Sequence, residues 1–237
     1  MIRKLTLALL LTLPTLAFAI DLEGFYITAK VGASKTFNTG ETSFNLSSGT
    51  PRALQNDDLG TGSAFGFSLG KYLTDSFRLE LEAIKRTGYE YDVNSLLFPA
   101  SANKAKIETH ALFINGFYDF QPFSISNTPI TAYLGGGVGI SRNKIGTIVE
   151  HEDGPPNGMT TDGDTINQFA YKLSAGTLVS LTEQLSLDVN YQYVNLGAFK
   201  GGTDRKFNGA PDGSLERGIN GGDIKTQELM VGLQYKF

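Results

Sequence analysis

Segments along this chain alternate apolar and polar residues one by one, and the polar side carries full charges in mid-segment while the apolar side carries almost none. Leu185, Leu187, Val189, Tyr191 and Tyr193 interleave with Ser186, Asp188, Asn190 and Gln192. Leu229, Val231, Leu233, Tyr235 and Phe237 interleave with Glu228, Gly232, Gln234 and Lys236. A period of two marks a β-strand, because successive side chains leave the backbone on opposite faces. The pattern recurs in Phe25–Ser34 (Phe25, Ile27, Ala29, Val31 and Ala33 against Tyr26, Thr28, Lys30, Gly32 and Ser34). It recurs again in Phe65, Phe67, Leu69 and Leu73 against Gly66, Ser68 and Gly70, and in Phe77, Leu79, Leu81 and Ala83 against Arg78, Glu80, Glu82 and Arg86. Two further segments set Ile130, Ala132, Leu134, Val138 and Ile140 against Tyr133, Gly135, Gly137 and Gly139, and Phe169, Tyr171, Leu173, Ala175 and Val179 against Lys172, Ser174 and Gly176.

One segment, about 106–120, is less regular. Asn115 and Asp119 put Leu112, Ile114, Tyr118 and Phe120 on the apolar side, yet Phe113 and Phe117 share the parity of the polar residues. A bulge could reconcile them, and the register stays open. The connections alternate in length. Thr74–Ser76, Gln121–Pro129 and Thr182–Gln184 are short, whereas about 38–61, 92–104, 142–167 and 196–224 are long and polar. Eight segments with alternating connections predict an all-β fold, an eight-stranded antiparallel transmembrane β-barrel with short periplasmic turns and long extracellular loops. Aromatic residues should mark the two interfaces: Phe25, Tyr72, Phe77, Tyr118, Phe120, Tyr235 and Phe237 at one, Tyr89, Tyr91, Phe169 and Tyr171 at the other.

Periodicity does not say which face is inside. A lipocalin-like soluble barrel would turn its apolar side inward around a ligand. The charges decide for lipid outside, since Lys71 and Lys85 are the exceptions on the apolar face, and near an interface they can snorkel. The chain also contains no Trp, whereas a lipocalin would carry one early and a helix after the barrel. With lipid outside, Lys30, Arg78, Glu80, Glu82, Arg86, Lys172, Asp188, Glu228 and Lys236 form an expected lumen charge network. Eight strands leave an interior just filled by side chains, so such charges must pair. The inward glycines, among them Gly66, Gly70, Gly135, Gly137, Gly139 and Gly176, are expected to clear room for the long Arg and Lys chains.

The first residues set the compartment. Arg3 and Lys4, the apolar run Leu5–Leu13, Pro14 and Ala17-Phe18-Ala19 read in order as a signal peptide, too short for a spanning helix. Residues 1–19 are therefore assigned to the leader and 20–237 to the barrel domain. Loss of Arg3 and Lys4 takes the formal net charge from −4 to about −6. An acidic surface is a poor partner for nucleic acid. With no cysteine, thiolate catalysis and thiolate metal sites are excluded.

Several stretches resemble a known family. Thr131-Ala132-Tyr133-Leu134-Gly135-Gly136-Gly137-Val138-Gly139 looks like the glycine-rich fifth strand of the OmpA-like and opacity-type small outer-membrane barrels. Asn115-Gly116-Phe117-Tyr118-Asp119-Phe120 resembles the end of their fourth strand, and Leu185–Tyr193 their seventh, with Gln192 where an Arg is common. Gly24-Phe25-Tyr26-Ile27 is similar to the start of surface antigens from rickettsia-like bacteria. The resemblance implies residence in the cell outer membrane, among lipid and lipopolysaccharide. Leu233, Tyr235 and Phe237 are similar to the signal read by the barrel assembly machinery. OmpA-like proteins that continue into a peptidoglycan-binding domain differ from this chain, for which cell-wall tethering is not expected.

Enzymes of this size class use a base, usually histidine, beside a nucleophile. Only His110 and His151 are present. Glu108 and His110 share a parity, but a deacylase-like site would need Ser where Leu112 stands, and Val149 stands two residues before His151. Asp57-Asp58, Glu152-Asp153 and Asp162-Gly163-Asp164 could attract divalent cations, but none forms the full calcium-loop pattern. Gly201-Gly202 and Gly221-Gly222 bracket a loop with Arg205, Lys206 and Arg217 that reads as mobile. No catalytic, cofactor or metal site is expected. The expectation is a non-enzymatic surface protein, an adhesin or antigen whose loops contact host surface molecules. A narrow-channel porin and a structural envelope-integrity protein are the alternatives.

Overall fold

The computed structural model describes residues 22–37, 42–45, 51–55, 58–95, 101–215 and 217–237. The expected leader, residues 1–19, lies outside the described residues, as do Asp57, the side chain of Arg217 and parts of the first two long connections.

Eight long strands form the wall: β1 (Phe25–Thr36), β2 (Thr61–Tyr72), β3 (Phe77–Ser95), β4 (Ser101–Asp119), β5 (Thr128–Ile145), β6 (Asp164–Ser180), β7 (Leu185–Lys200) and β8 (Arg217–Lys236). Each pairs antiparallel with the next in sequence. β8 returns to pair with β1, Tyr26 opposite Lys236 through Thr36 opposite Thr226, so the sheet closes on itself and keeps no open edge within the wall. The order is a meander, as short turns between antiparallel neighbours require. In the tight turns at 73–76 and 181–184 the Thr74 and Thr182 hydroxyls accept from the backbone N–H three residues on, at 3.0 Å in both.

The apolar parity faces outward. Ile114 and Leu173 are each 63% exposed, and Phe65, Phe67, Leu81, Leu134, Val138, Ile140 and Leu229 are similarly bare. A continuous apolar band of this kind, wrapped around a closed wall, is stable against hydrocarbon rather than water. On the short-turn side the band ends in touching aromatics: Phe77 with Tyr118 at 5.0 Å between ring centroids, Tyr118 with Phe120 at 5.2 Å and Tyr235 with Phe237 at 5.3 Å.

β4 holds a single register through the band with no bulge there, from Glu82 opposite Phe113 to Phe77 opposite Tyr118. Phe113 and Phe117 are lumen residues, buried on the same face as Asn115 and Asp119. The irregularity in the sequence is thus an aromatic lining rather than a shift. Tyr72 likewise turns inward, 5.3 Å from the ring of Tyr26, so it is not part of the outer girdle.

The strands run well past the 9–11 residues a span needs, up to 20 in β8. Their extensions form a crown at the long-loop end. A bulge in β3 between Arg86 and Tyr89, with Gly88 at φ +90°, reverses the inward parity, so Tyr89, Tyr91 and Val93 point into the crown. Tyr89 and Tyr91 are therefore interior residues and not an outer interface belt; Phe169 and Tyr171 do face outward. Short strands add to the crown. Thr42–Asn45 and Pro51–Gln55 form a hairpin between β8 and β3. Ile148–Glu152 pairs with β4 and with Pro156–Thr161, which in turn pairs with the hairpin Asp204–Phe207 and Ala210–Ser214. Much of the region expected as the mobile fourth loop is thus sheet. Its interior joins Leu59, Tyr91, Val93, Ile107, Ile145, Ile148, Leu196, Phe199, Leu215, Ile219 and Ile224 in one apolar cluster.

Candidate functional site

Three layers fill the lumen from the short turns upward. At the bottom, Arg78 lies against two aromatic rings, its guanidinium carbon 4.4 Å from the Phe117 centroid and 4.5 Å from that of Tyr133. Its Nε donates to Asp119 at 3.0 Å and its Nη1 to the Tyr26 hydroxyl at 3.4 Å. The Tyr133 hydroxyl donates to Asp188 at 2.6 Å. The two rings stand nearly perpendicular, at 86°, so the guanidinium sits in an aromatic corner while its N–H groups reach Asp119 and Tyr26, a combination that suits arginine's several fixed donors and not lysine.

In the middle, Glu82 takes two ammonium groups. Lys30 Nζ stands 2.7 Å from its Oε1 and 3.7 Å from Glu80 Oε1, and Lys172 donates to the other oxygen of Glu82. The amide of Asn115 donates to both acids at 3.2 Å. Above them Glu228 accepts from Arg86 Nε at 2.5 Å and Nη2 at 3.1 Å, from Gln192 at 2.5 Å, from Ser34 at 2.7 Å and from Thr226 at 2.8 Å. Saturation of this kind is what makes a buried carboxylate tolerable, since an ion without partners in a dry interior costs several kcal/mol. The crown's apolar cluster lies above this layer.

Of the charges expected in the lumen, Lys30, Arg78, Glu80, Glu82, Arg86, Lys172, Asp188 and Glu228 are buried inside, in more than one group. Asp188 meets Tyr133 and Asn190 rather than a cation. Lys236 stands apart at the short-turn rim, exposed, with its Nζ 4.9 Å from the Tyr72 ring centroid. Sequence reasoning used Asp119 and Asn115 only as parity markers and did not foresee their roles as partners of Arg78, Glu80 and Glu82. The glycines also work differently from expectation. A Cβ on Gly135 would lie 2.2 Å from the Phe117 ring, one on Gly137 2.0 Å from Asn115 Oδ1 and one on Gly70 2.1 Å from Tyr26. Those glycines clear room chiefly for β4 side chains and aromatic rings, while Gly66 and Gly232 flank Lys30 as expected for a cation.

Elsewhere the chemistry is sparse. His110 lies on the outer face with Leu112 at the next outward position, and Glu108 is turned to Lys85 Nζ at 3.8 Å and the Thr87 hydroxyl at 3.3 Å. The His151 Nδ1 lies 3.2 Å from the carbonyl of Val149. Asp58 accepts from the Gly60 N–H, Asp162 from Lys206 and Asp164 from the Thr165 N–H, so these acids serve local structure. Among the described residues no group of three or more His, Cys, Asp or Glu is placed to hold a metal ion. Leu233, Tyr235 and Phe237 face outward beside the β1–β8 seam, with the Phe237 N–H donating to the Phe25 carbonyl at 2.9 Å.

Comparison with known proteins agrees with this architecture. The outer membrane protein beta-barrel domain family matches residues 5–237. Outer membrane protein PagN of Salmonella typhimurium is 27% identical over 191 residues, which is 74% of this chain and 75% of that protein. An uncharacterized protein of Brucella abortus is 29% identical over 225 residues, covering 87% of this chain and 74% of its own length. Among solved structures, the outer membrane protein OprG of Pseudomonas aeruginosa has a TM-score of 0.57 at 17% identity, over 91% of this chain and 96% of that one. Neisserial surface protein A has a TM-score of 0.50 at 17% identity, over 91% and 98%. These two likenesses are of fold. A wall closed by β8 on β1, an apolar band turned to lipid and a family match along nearly the whole length lead to one assignment: the chain belongs to the outer membrane protein beta-barrel domain family and resides in the outer membrane.

Proposed function

We propose that this protein is a non-enzymatic surface protein, of adhesin or antigen type, that presents its crown to the cell exterior. The signal peptide at 1–19 would export it, Leu233, Tyr235 and Phe237 would be read by the assembly machinery, and the short turns would face the periplasm. The observation that carries the reading is the crown itself: strands continue beyond the lipid band and fold around an apolar cluster, so the long connections form a built surface rather than slack. Its outermost hairpin turns at Asn208-Gly209, both at positive φ, and holds Phe207 47% exposed beside Arg205 and Lys206. Lys206 is held by Asp162 at 2.9 Å and Arg205 by Glu150 at 3.6 Å, which fixes the hairpin on its neighbours and leaves the exposed ring as a suitable anchor for a partner surface. The likeness of Gly24–Ile27 to rickettsia-like surface antigens supports the same reading.

The test replaces Arg205–Gly213 by an Asn-Gly turn and, separately, makes Phe207→Ser. Both variants should keep the heat-dependent gel shift of a folded barrel and lose most of the adhesion of expressing cells to host cells or matrix. Adhesion unchanged in both would sink the proposal.

A further inference from the structure

We propose that the outer wall also holds a binding site for a phosphorylated, acylated glycolipid of the leaflet around the crown, with Lys85, His110 and Arg142 on the phosphate and the groove below them on an acyl chain. The choice of leaflet rests on the crown facing the exterior; the site itself is argued from the wall.

The register places Phe65, Lys85, His110, Arg142 and Asn167 in one cross-strand row over β2 to β6. Neighbours in such a row have Cα atoms about 5 Å apart. Three basic residues therefore stand side by side on the outer face, all turned outward. The row below reads Phe67, Ala83, Leu112, Ile140 and Phe169. Ala83 is short between two large neighbours, and the result is a groove of about 650 Å³ lined by Phe65, Phe67, Ala83, Leu112 and Ile140 and capped by the basic row. Apolar channel below, cations above: the arrangement matches an acyl chain joined to a phosphorylated headgroup.

Like charges directly opposite on neighbouring strands repel. The row above sets Glu108 opposite Lys144, and Glu108 also lies 3.8 Å from Lys85. One acid among Lys85, Arg142 and Lys144 leaves a cationic excess that an anion would relieve. At the other edge of the band Lys71 has only Phe25 and Leu79 as cross-strand partners, and its Nζ rests 4.4 Å from the Phe25 ring centroid. Arginine can grip a phosphate through two parallel N–H bonds, lysine adds a point charge, and an imidazole offers at least one N–H in either protonation state.

The test uses the full chain in phosphatidylcholine nanodiscs containing a small fraction of diphosphoryl lipid A, with retained lipid counted by native mass spectrometry after delipidation. Lys85→Gln with Arg142→Gln should lower retention about tenfold or more, the loss of charge-assisted hydrogen bonds. Lys71→Gln should retain lipid as the unaltered protein does. Dephosphorylated lipid A should be retained weakly, and inorganic pyrophosphate should not displace the intact glycolipid at equal concentration. The gel shift verifies that each variant is folded, and Arg142→Lys, which keeps the charge, should retain an intermediate amount. Equal retention by the double variant, an equal loss in Lys71→Gln, or equal retention of the dephosphorylated lipid overturns the proposal. None of these readouts depends on adhesion.

Discussion

Glu82 is fully buried between two ammonium groups, and its charge is what lets Lys30 and Lys172 share the middle of the lumen. Glu82→Gln keeps the shape and removes the anion. Lys172 then faces Lys30 with Glu80 as the remaining nearby acid, 3.7 Å from Lys30. Removing one member of a buried ionic group costs about 3–5 kcal/mol. The variant should therefore unfold at clearly lower urea in lipid vesicles, followed by the gel shift, whereas Lys172→Met should lose less because Lys30 stays with Glu82. A midpoint for Glu82→Gln equal to that of a surface variant such as Lys71→Gln would contradict the assignment. The face on which these charges lie was legible, since parity alone puts Lys30, Glu80, Glu82 and Lys172 on one side. Their partners were not, because pairing depends on register between strands distant in sequence: Phe117 meets Gly135 and Asn115 meets Gly137 only once β4 and β5 are aligned.

At the scale of the strand, the same sequence pattern is informative only where one face meets lipid. Within the band the solvent outside is hydrocarbon, so the outward positions are apolar almost throughout and the segments stand out, β4 less cleanly because Phe113 and Phe117 line its inner face. In the crown, water and neighbouring hairpins lie outside and the apolar residues turn inward, so Tyr89, Tyr91 and Val93 alternate with Glu90 and Asp92 in the sense opposite to the band. The bulge at Gly88 causes this, because one inserted residue reverses every side chain beyond it. Gly88 is also the position that admits the turn, since a residue with a Cβ at φ +90° is strained by about 1–2 kcal/mol. Gly88→Val should leave the band folded but loosen the seating of Tyr89 and Tyr91. Limited proteolysis of vesicle-inserted protein would then cleave within 89–107 sooner, with the heat-dependent gel shift kept. Cleavage rates equal to those of the unaltered chain would show that the bulge does not hold the crown.

For the whole molecule, the layers act in series, and this decides between presenting a surface and passing a solute. An ion entering from the crown meets the apolar cluster, where Tyr91 and Phe199 pack edge to face at 5.7 Å. Beyond it, Arg86 and Glu228 close the section with both side chains fully buried, and the Glu82 layer and the Arg78 layer follow. Opening one layer leaves the others intact, so conduction requires the simultaneous loss of several. Planar bilayers holding the purified protein should accordingly show no discrete conductance steps. Tyr91→Ala with Phe199→Ala should stay silent as well, because the Arg86–Glu228 layer is untouched. Adding Arg86→Ala and Glu228→Ala removes the second seal and should raise leak in those molecules that still pass the gel-shift check. Reproducible unitary steps from the unaltered protein would mean that the packed side chains move aside at low cost. In that case the narrow-channel alternative displaces the surface-presenting one, since a filled lumen is what leaves the crown as the functional part of the molecule.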